Sequence, residues 1–196
     1  MQKIIWVFGE SATGKKTLIE SLLSDSNSEL SNSLNINGKK IRVIEDTISN
    51  NLSSFDDEDN ELNRQKCILK EIADFVSQKN DEILLIKGQS NDMDDRYGNT
   101  LKQFAISYPD IDKEIFLLEV SDMDLLYERI INKDWFQADF ERYSKMFPRE
   151  WVDKAIQKHH NHVCSYIDYG FKIIIIDSTN GFKVVNNSIG GALWML

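Results

Sequence analysis

A chain of 196 residues, 41% of them hydrophobic, suits one domain with a sizeable core, and two prolines and nine glycines exclude collagen-like or low-complexity sequence. The net charge of −9, from 23 Lys and Arg against 32 Asp and Glu, repels a polyanion at long range. Nucleic acid is therefore not the favoured partner, although a local basic groove on an acidic protein would still admit one. Met1-Gln2-Lys3 runs straight into an apolar stretch with no signal-peptide pattern, and no apolar run approaches the roughly 20 residues of a membrane span. Cys67 and Cys164 lack metal-ligand spacing and sit in helical patterns. A cytoplasmic protein with reduced thiols and no membrane partner is expected.

In chain order, Ile4-Ile5-Trp6-Val7-Phe8 reads as a buried strand and Leu18, Ile19, Leu22 and Leu23 as the apolar face of a helix. Between them lies Gly9-Glu10-Ser11-Ala12-Thr13-Gly14-Lys15-Lys16-Thr17, a Walker A pattern in its strand, loop and helix context. Gly9 and Gly14 let the backbone bend so that successive amides face one concavity. With the positive end of the new helix they form an anion nest, and Lys15 adds a charge that reaches β- and γ-phosphates. A chance glycine pair in a turn is the alternative, which the context disfavours. The usual motif has Ser or Thr directly after the lysine as a Mg²⁺ ligand; here Lys16 takes that place and Thr17 follows.

Ser24 to Asn37, rich in Ser and Asn, reads as a loop before the strand Ile41 to Ile44, which ends at Glu45-Asp46. Asn50 to Asn60 is polar and irregular, and Asp56-Asp57-Glu58-Asp59 reads as a solvated loop rather than a metal site. A helix follows with Leu62, Leu69, Ile72 and Val76 on one face. Ile83 to Ile86 is an apolar strand of the kind a parallel sheet buries on both faces, ending at Lys87-Gly88-Gln89. A loop carries Asp92, Asp94, Asp95 and Arg96, and Leu101 to Ser107 is helical. Ile115 to Val120 is the fourth strand; Ser121 is expected to cap the next helix, with Asp122 and Asp124 in its first turn and Arg129 further along. Asn132 to Phe147 mixes charges with Trp135, Phe136, Phe140 and Tyr143. Pro148 opens a long helix with Val152, Ile156, Val163 and Ile167 on its apolar face, ended by Gly170. Phe171 to Ile176 is the fifth strand, closing at Asp177. Strands alternating with helices imply a mainly parallel sheet covered on both faces, with ligands beyond the carboxyl ends of the strands.

This order of parts, with Gly9 to Thr17 as its specific motif, resembles the P-loop nucleoside and nucleotide kinases, the group of adenylate kinase, thymidylate kinase and the deoxynucleoside kinases. Gly14-Lys15-Lys16-Thr17 is similar to the nucleoside monophosphate kinases, which also lack the hydroxyl after the lysine and hold the metal largely through water and nucleotide. The resemblance implies an α/β three-layer fold, a five-stranded parallel sheet in the order 2-3-1-4-5, and a helical lid after the fourth strand, about residues 129–150. It implies ATP and Mg²⁺ as cofactors, with Thr17 supporting the α-phosphate or the metal shell. Glu45 or Asp46 would take the proton from the acceptor hydroxyl. Arg129, with Arg142 and Arg149 as further candidates, would neutralise the moving phosphoryl group, and Asp177 to Phe182 would border the adenine. Two acids ending a strand at the surface is the plain alternative for Glu45 and Asp46. The acceptor is expected to be a nucleoside, a nucleotide or a similar hydroxyl.

A narrower likeness, to phage-type kinases of 5-hydroxymethyluracil in DNA, rests on Ile86-Lys87-Gly88-Gln89 and on the run from Trp151 through His160 to Tyr166. Such an enzyme must admit a flipped base. Asp95-Arg96-Tyr97 resembles the Asp-Arg-Tyr of thymidylate kinases but lies further from its strand. Lys87 and Gln89 fit two readings, a phosphate or substrate contact and a plain strand end. Asp95 to Gly98 and Asn132-Lys133-Asp134 have the wrong context for a GTPase. His159, His160 and His162 read as a helix face that packs one histidine and exposes the others, not as a zinc site. A module that binds nucleotide without transferring phosphate is the alternative of another class.

Overall fold

The computed structural model describes residues 2–24, 28–44 and 57–186. Its six-stranded sheet has the order β2-β3-β1-β4-β5-β6. Strands β1 (Lys3–Phe8), β2 (Lys40–Ile44), β3 (Glu82–Lys87), β4 (Asp112–Glu119) and β5 (Lys172–Asp177) are parallel in the expected order. A short antiparallel strand, β6 (Lys183–Asn186), pairs with β5 and adds an edge that the five-strand expectation lacks.

Alternation along the strands makes the layers. Ile4, Trp6, Phe8, Leu84, Ile86, Ile115, Leu117 and Ile173 face one core with Ile72 and Phe75 of α3 (Asp57–Ser77), Phe104 of α4 (Thr100–Ser107) and Val163. Ile5, Val7, Ile83, Leu85, Phe116, Leu118, Ile174 and Ile176 face the other, against Leu18 and Leu22 of α1 (Lys15–Leu23). The central strands bury both faces, which is why they read as unbroken apolar runs.

Three expectations change. The segment Ser24 to Asn37 is not all loop: α2 (Ser28–Ser33) forms in it, because Leu30, Leu34 and Ile36 are buried against the α1 side of the sheet. The polar stretch before Leu62 is helical from Asp57, and Leu62 itself is exposed. Asp122, not Ser121, caps α5 (Met123–Ile131), accepting from the Asp124 and Leu125 amides at 3.0 Å each. Ser121 instead donates from Oγ to Asp177 at 3.3 Å and from its amide to Thr179 Oγ1 at 2.8 Å.

Beyond β4 come α5, α6 (Asp134–Gln137), α7 (Phe140–Met146) and α8 (Arg149–Cys164), then a 3-10 turn over Ser165–Tyr169 ended by Gly170. Val120, Leu126, Ile130, Phe136 and Val152 form a third cluster, and Ala12 of the glycine loop packs against it. Phe136 is its buried aromatic; Trp135 and Phe140 meet its ring at an angle from exposed positions. No helix among the described residues is long and apolar enough to cross a membrane.

Candidate functional site

Gly9 to Gly14 leaves the carboxyl end of β1 and turns into α1. Gly9 has φ 151°, and a Cβ there would lie 2.7 Å from the Leu118 carbonyl oxygen, so the close strand contact requires glycine. Gly14 caps α1 in the left-handed region, φ 91°, with no side-chain cap bond. No side-chain oxygen therefore caps the positive end of α1, the end at which a helix favours an anion. Ala12 also has positive φ, 66°. The loop is braced internally: Thr13, fully buried, donates from Oγ1 to the Glu10 carbonyl at 2.9 Å. Lys15 Nζ folds back over it, donating to the carbonyls of Gly9 at 2.6 Å and Glu10 at 3.0 Å.

The loop opens on a cleft of about 930 Å³ lined by Ser11 to Thr17 and by Lys87, Leu125, Glu128, Arg129, Asn132, Lys133, Ser178, Gly181 and Phe182. Lys15, Lys16, Lys87, Arg129 and Lys133 bring cationic side chains against the single carboxylate of Glu128. On a chain of net charge −9, that local excess suits a polyphosphate. Arg129 is fixed by bonds to the carbonyls of Ser178, 3.2 Å, and Thr179, 3.0 Å. Ser178 Oγ in turn donates to the Thr13 carbonyl at 2.6 Å, tying the loop after β5 to the glycine loop.

Of the residues picked from sequence, Ser11 to Thr17 and Arg129 line this cleft together. Thr17 is exposed there, and Lys16 lies 3.8 Å from Glu20 on the helix surface. Glu10 faces a different cavity. Asp177 is absent from the cleft lining; its carboxylate accepts from the Thr179 amide, 2.9 Å, and from Ser121 Oγ, 3.3 Å, joining the ends of β5 and β4. Arg149 pairs with Asp124 at 2.7 Å and Asp153 at 3.0 Å, and Arg142 stays exposed over the Tyr143 ring. Glu45 and Asp46 lie outside the described residues, as does the tail from Ile189.

The end of β3 gains a physical account. Gly88 donates to the Val7 carbonyl at 3.0 Å, and a Cβ on it would meet the Phe8 ring at 2.5 Å. Lys87 points into the cleft, while Asp92 folds back to accept from the Gln89 amide at 2.8 Å and to pair with Arg64 of α3. That buried carboxylate is therefore committed to holding the turn. Among the described residues no group of three or more His, Cys, Asp or Glu is placed to hold a metal. Thr17 and Glu128 are the remaining oxygen donors in the cleft besides Ser11, Thr13, Asn132 and Ser178, so these residues do not fit a magnesium site built by the protein alone.

A second cavity, about 690 Å³, lies on the α8 side of the loop, lined by Glu10, Met93, Asp94, Asp95, Arg96, Trp151, Lys154, Ala155, Lys158, His159 and His162. His159 Nδ1 stands 3.7 Å from Glu10 Oε1, with 10% and 26% of the two side chains exposed. Burial, then the charges of Lys15, His162 and His160, hold the His159 pKa down to about 4. Burial raises the Glu10 carboxyl, against the pull of Lys15. His160 goes the other way: the Cys164 side chain and the Glu119 carboxylate, 2.5 Å away, push it up to about 10. Two of the three histidines are therefore largely buried, where the helix-face reading packs one. Sequence reasoning placed Glu10 with the phosphates; its neighbours here come from distant stretches, and no local spacing announces them.

No family model matches the sequence, and no curated protein matches it. Among solved structures the chain is similar to one of deoxyadenosine kinase from M. mycoides with products dCMP and a flexible dCDP bound, at a TM-score of 0.42 and 15% identity, over 89% of this chain and 90% of that one.

Proposed function

We propose that the protein is an ATP-dependent phosphotransferase that moves the γ-phosphoryl group to a nucleoside, nucleotide or similar acceptor. The observation that carries this reading is the glycine loop itself: it ends β1, turns into α1 with no side-chain cap at the helix's positive end, and opens on a cleft edged by Lys15, Lys87, Arg129 and Lys133. Loop amides and the Lys15 amine would hold the donor's phosphates. On binding, Lys15 would exchange its two carbonyl partners for phosphate oxygens, and Arg129, fixed to the loop after β5, would face the charge that builds on the leaving group. Mg²⁺, when bound with the nucleotide, would neutralise phosphate charge. Phe182, whose ring is 3.6 Å from where a Gly14 Cβ would sit, would cover the nucleotide.

Lys15→Ala should lower phosphoryl transfer by about 100-fold or more, because a fixed charge aimed at the transferring group is removed. The check is transfer of labelled γ-phosphate to a panel of nucleosides, nucleotides and an oligonucleotide carrying 5-hydroxymethyluracil. The oligonucleotide separates the DNA-directed alternative. Binding of ATP without transfer to any acceptor would favour a nucleotide-binding module instead, a reading supported by Lys16 in the hydroxyl position and by Asp92 being spent on Arg64.

A further inference from the structure

We infer that the cleft grips the triphosphate of a nucleotide without needing a metal ion, because lysines, Lys16 and Lys87, occupy the two places from which a protein of this kind would ligate magnesium. The inference rests on the phosphate-binding loop of the phosphotransferase reading and names what neutralises the charge of its ligand.

A P-loop protein that holds magnesium itself does so with the hydroxyl directly after the loop lysine and with an acid from the strand beside the loop. Here both places are lysine. Lys16 follows Lys15 at the start of α1, and Lys87 ends β3. In the parallel register of β1 and β3, Lys87 is level with Val7, just before Gly9, and the Gly88 amide fixes that level by donating to the Val7 carbonyl at 3.0 Å. Both lysines line the cleft together with Lys15 and Arg129. An ammonium group has no lone pair with which to ligate a cation, and it repels one held nearby. The carboxylates that could make up for the exchange are engaged elsewhere. Asp92, after β3, pairs with Arg64 and accepts from the Gln89 amide. Glu119, at the end of β4, meets His160 at 2.5 Å. Asp177, at the end of β5, accepts from the amide and hydroxyl of Thr179. Glu10 lines the other cavity.

The balance of charge points the same way. Among the described residues the cleft lining has Glu128 as its carboxylate, against Lys15, Lys16, Lys87, Arg129 and Lys133, a formal excess of four positive charges. A metal-free nucleoside triphosphate carries about four negative charges at neutral pH, since its terminal phosphate is almost fully ionised. Bound Mg²⁺ would cancel about two of them and leave part of the cationic lining unmatched. Lys16 stands 3.8 Å from Glu20, with 80% and 61% of the two side chains exposed, a surface pair too weak to keep it from a phosphate.

The test is calorimetry of ATP binding at one ionic strength, once in EDTA and once in excess Mg²⁺. It compares wild type, Lys87→Gln, and a double variant, Lys16→Thr with Lys87→Asp, that restores the usual hydroxyl and acid. Thermal unfolding checks that each variant folds, and Lys87→Gln, which keeps length and polarity, reads the charge even if the double variant does not fold. Wild type should bind ATP in EDTA with a Kd within about threefold of its value in Mg²⁺. Lys87→Gln should weaken binding in EDTA by about 10-fold or more, the loss of one charge-assisted contact. The double variant should lose more in EDTA and regain about 10-fold or more on addition of Mg²⁺. A wild type that tightens more than about threefold with Mg²⁺, or a folded Lys87→Gln that keeps wild-type affinity in EDTA, would overturn the inference and leave the phosphotransferase reading standing. A wild type that binds ATP in neither condition brings down both.

Discussion

His159 and His160 are adjacent on α8, yet their surroundings drive them in opposite directions. His159, buried beside Glu10 and near Lys15, stays neutral down to about pH 4. His160, held by Cys164 and Glu119, keeps its proton to about pH 10. Between the ordinary histidine value of 6.5 and about 10 the folded chain binds a proton at His160 that the unfolded chain has released. The stabilisation from His160 is therefore complete below pH 6.5 and lost as pH rises toward 10. Thermal unfolding of wild type and His160→Gln across that range should show a stability margin that shrinks with rising pH. A margin that stays flat would mean that the Glu119 and Cys164 contacts do not hold the proton.

Element by element, the largest surprise is α2. Leu30 in it and Leu34 just past its end, joined by the Leu34 amide donating to the Leu30 carbonyl at 2.9 Å, are buried with Leu18 and Leu22 of α1, so tertiary burial overrides a Ser- and Asn-rich sequence. Leu34→Ala should cost about 2–4 kcal/mol, measured by urea unfolding, and a cost below about 0.5 kcal/mol would show that α2 does not dock. The central strands were legible because burial on both faces leaves apolar runs such as Ile83 to Ile86. β6 was not, since four residues at a sheet edge carry no such run. The same contrast holds at the site. The turn from β1 through Gly9 to Gly14 into α1 was legible because its residues are contiguous. The second cavity was not, because Glu10, Asp94, Trp151 and His159 meet only after β1, β3 and α8 are packed.

For the molecule as a whole, a chain of net charge −9 carries a cleft whose charged lining is mostly cationic and comes from both halves of the chain. Ser178→Ala would remove the hydroxyl bonded to the Thr13 carbonyl. It should cost about 1–3 kcal/mol, the penalty for leaving a buried carbonyl unpaired, and should weaken ATP binding with it. Unfolding curves with and without ATP would measure both, and an unchanged ATP-induced shift would show that the loop holds its shape without the tie.

That tie has a consequence for how the protein is made. Thr13 leaves the ribosome well before its partner Ser178, the carbonyls that seat Arg129 and the ring of Phe182 are translated. A nascent chain that stops short of residue 172 has the glycine loop without its clamp and without β5, so competence for nucleotide should switch on only once the segment through Phe182 has been made, not with the glycine loop itself.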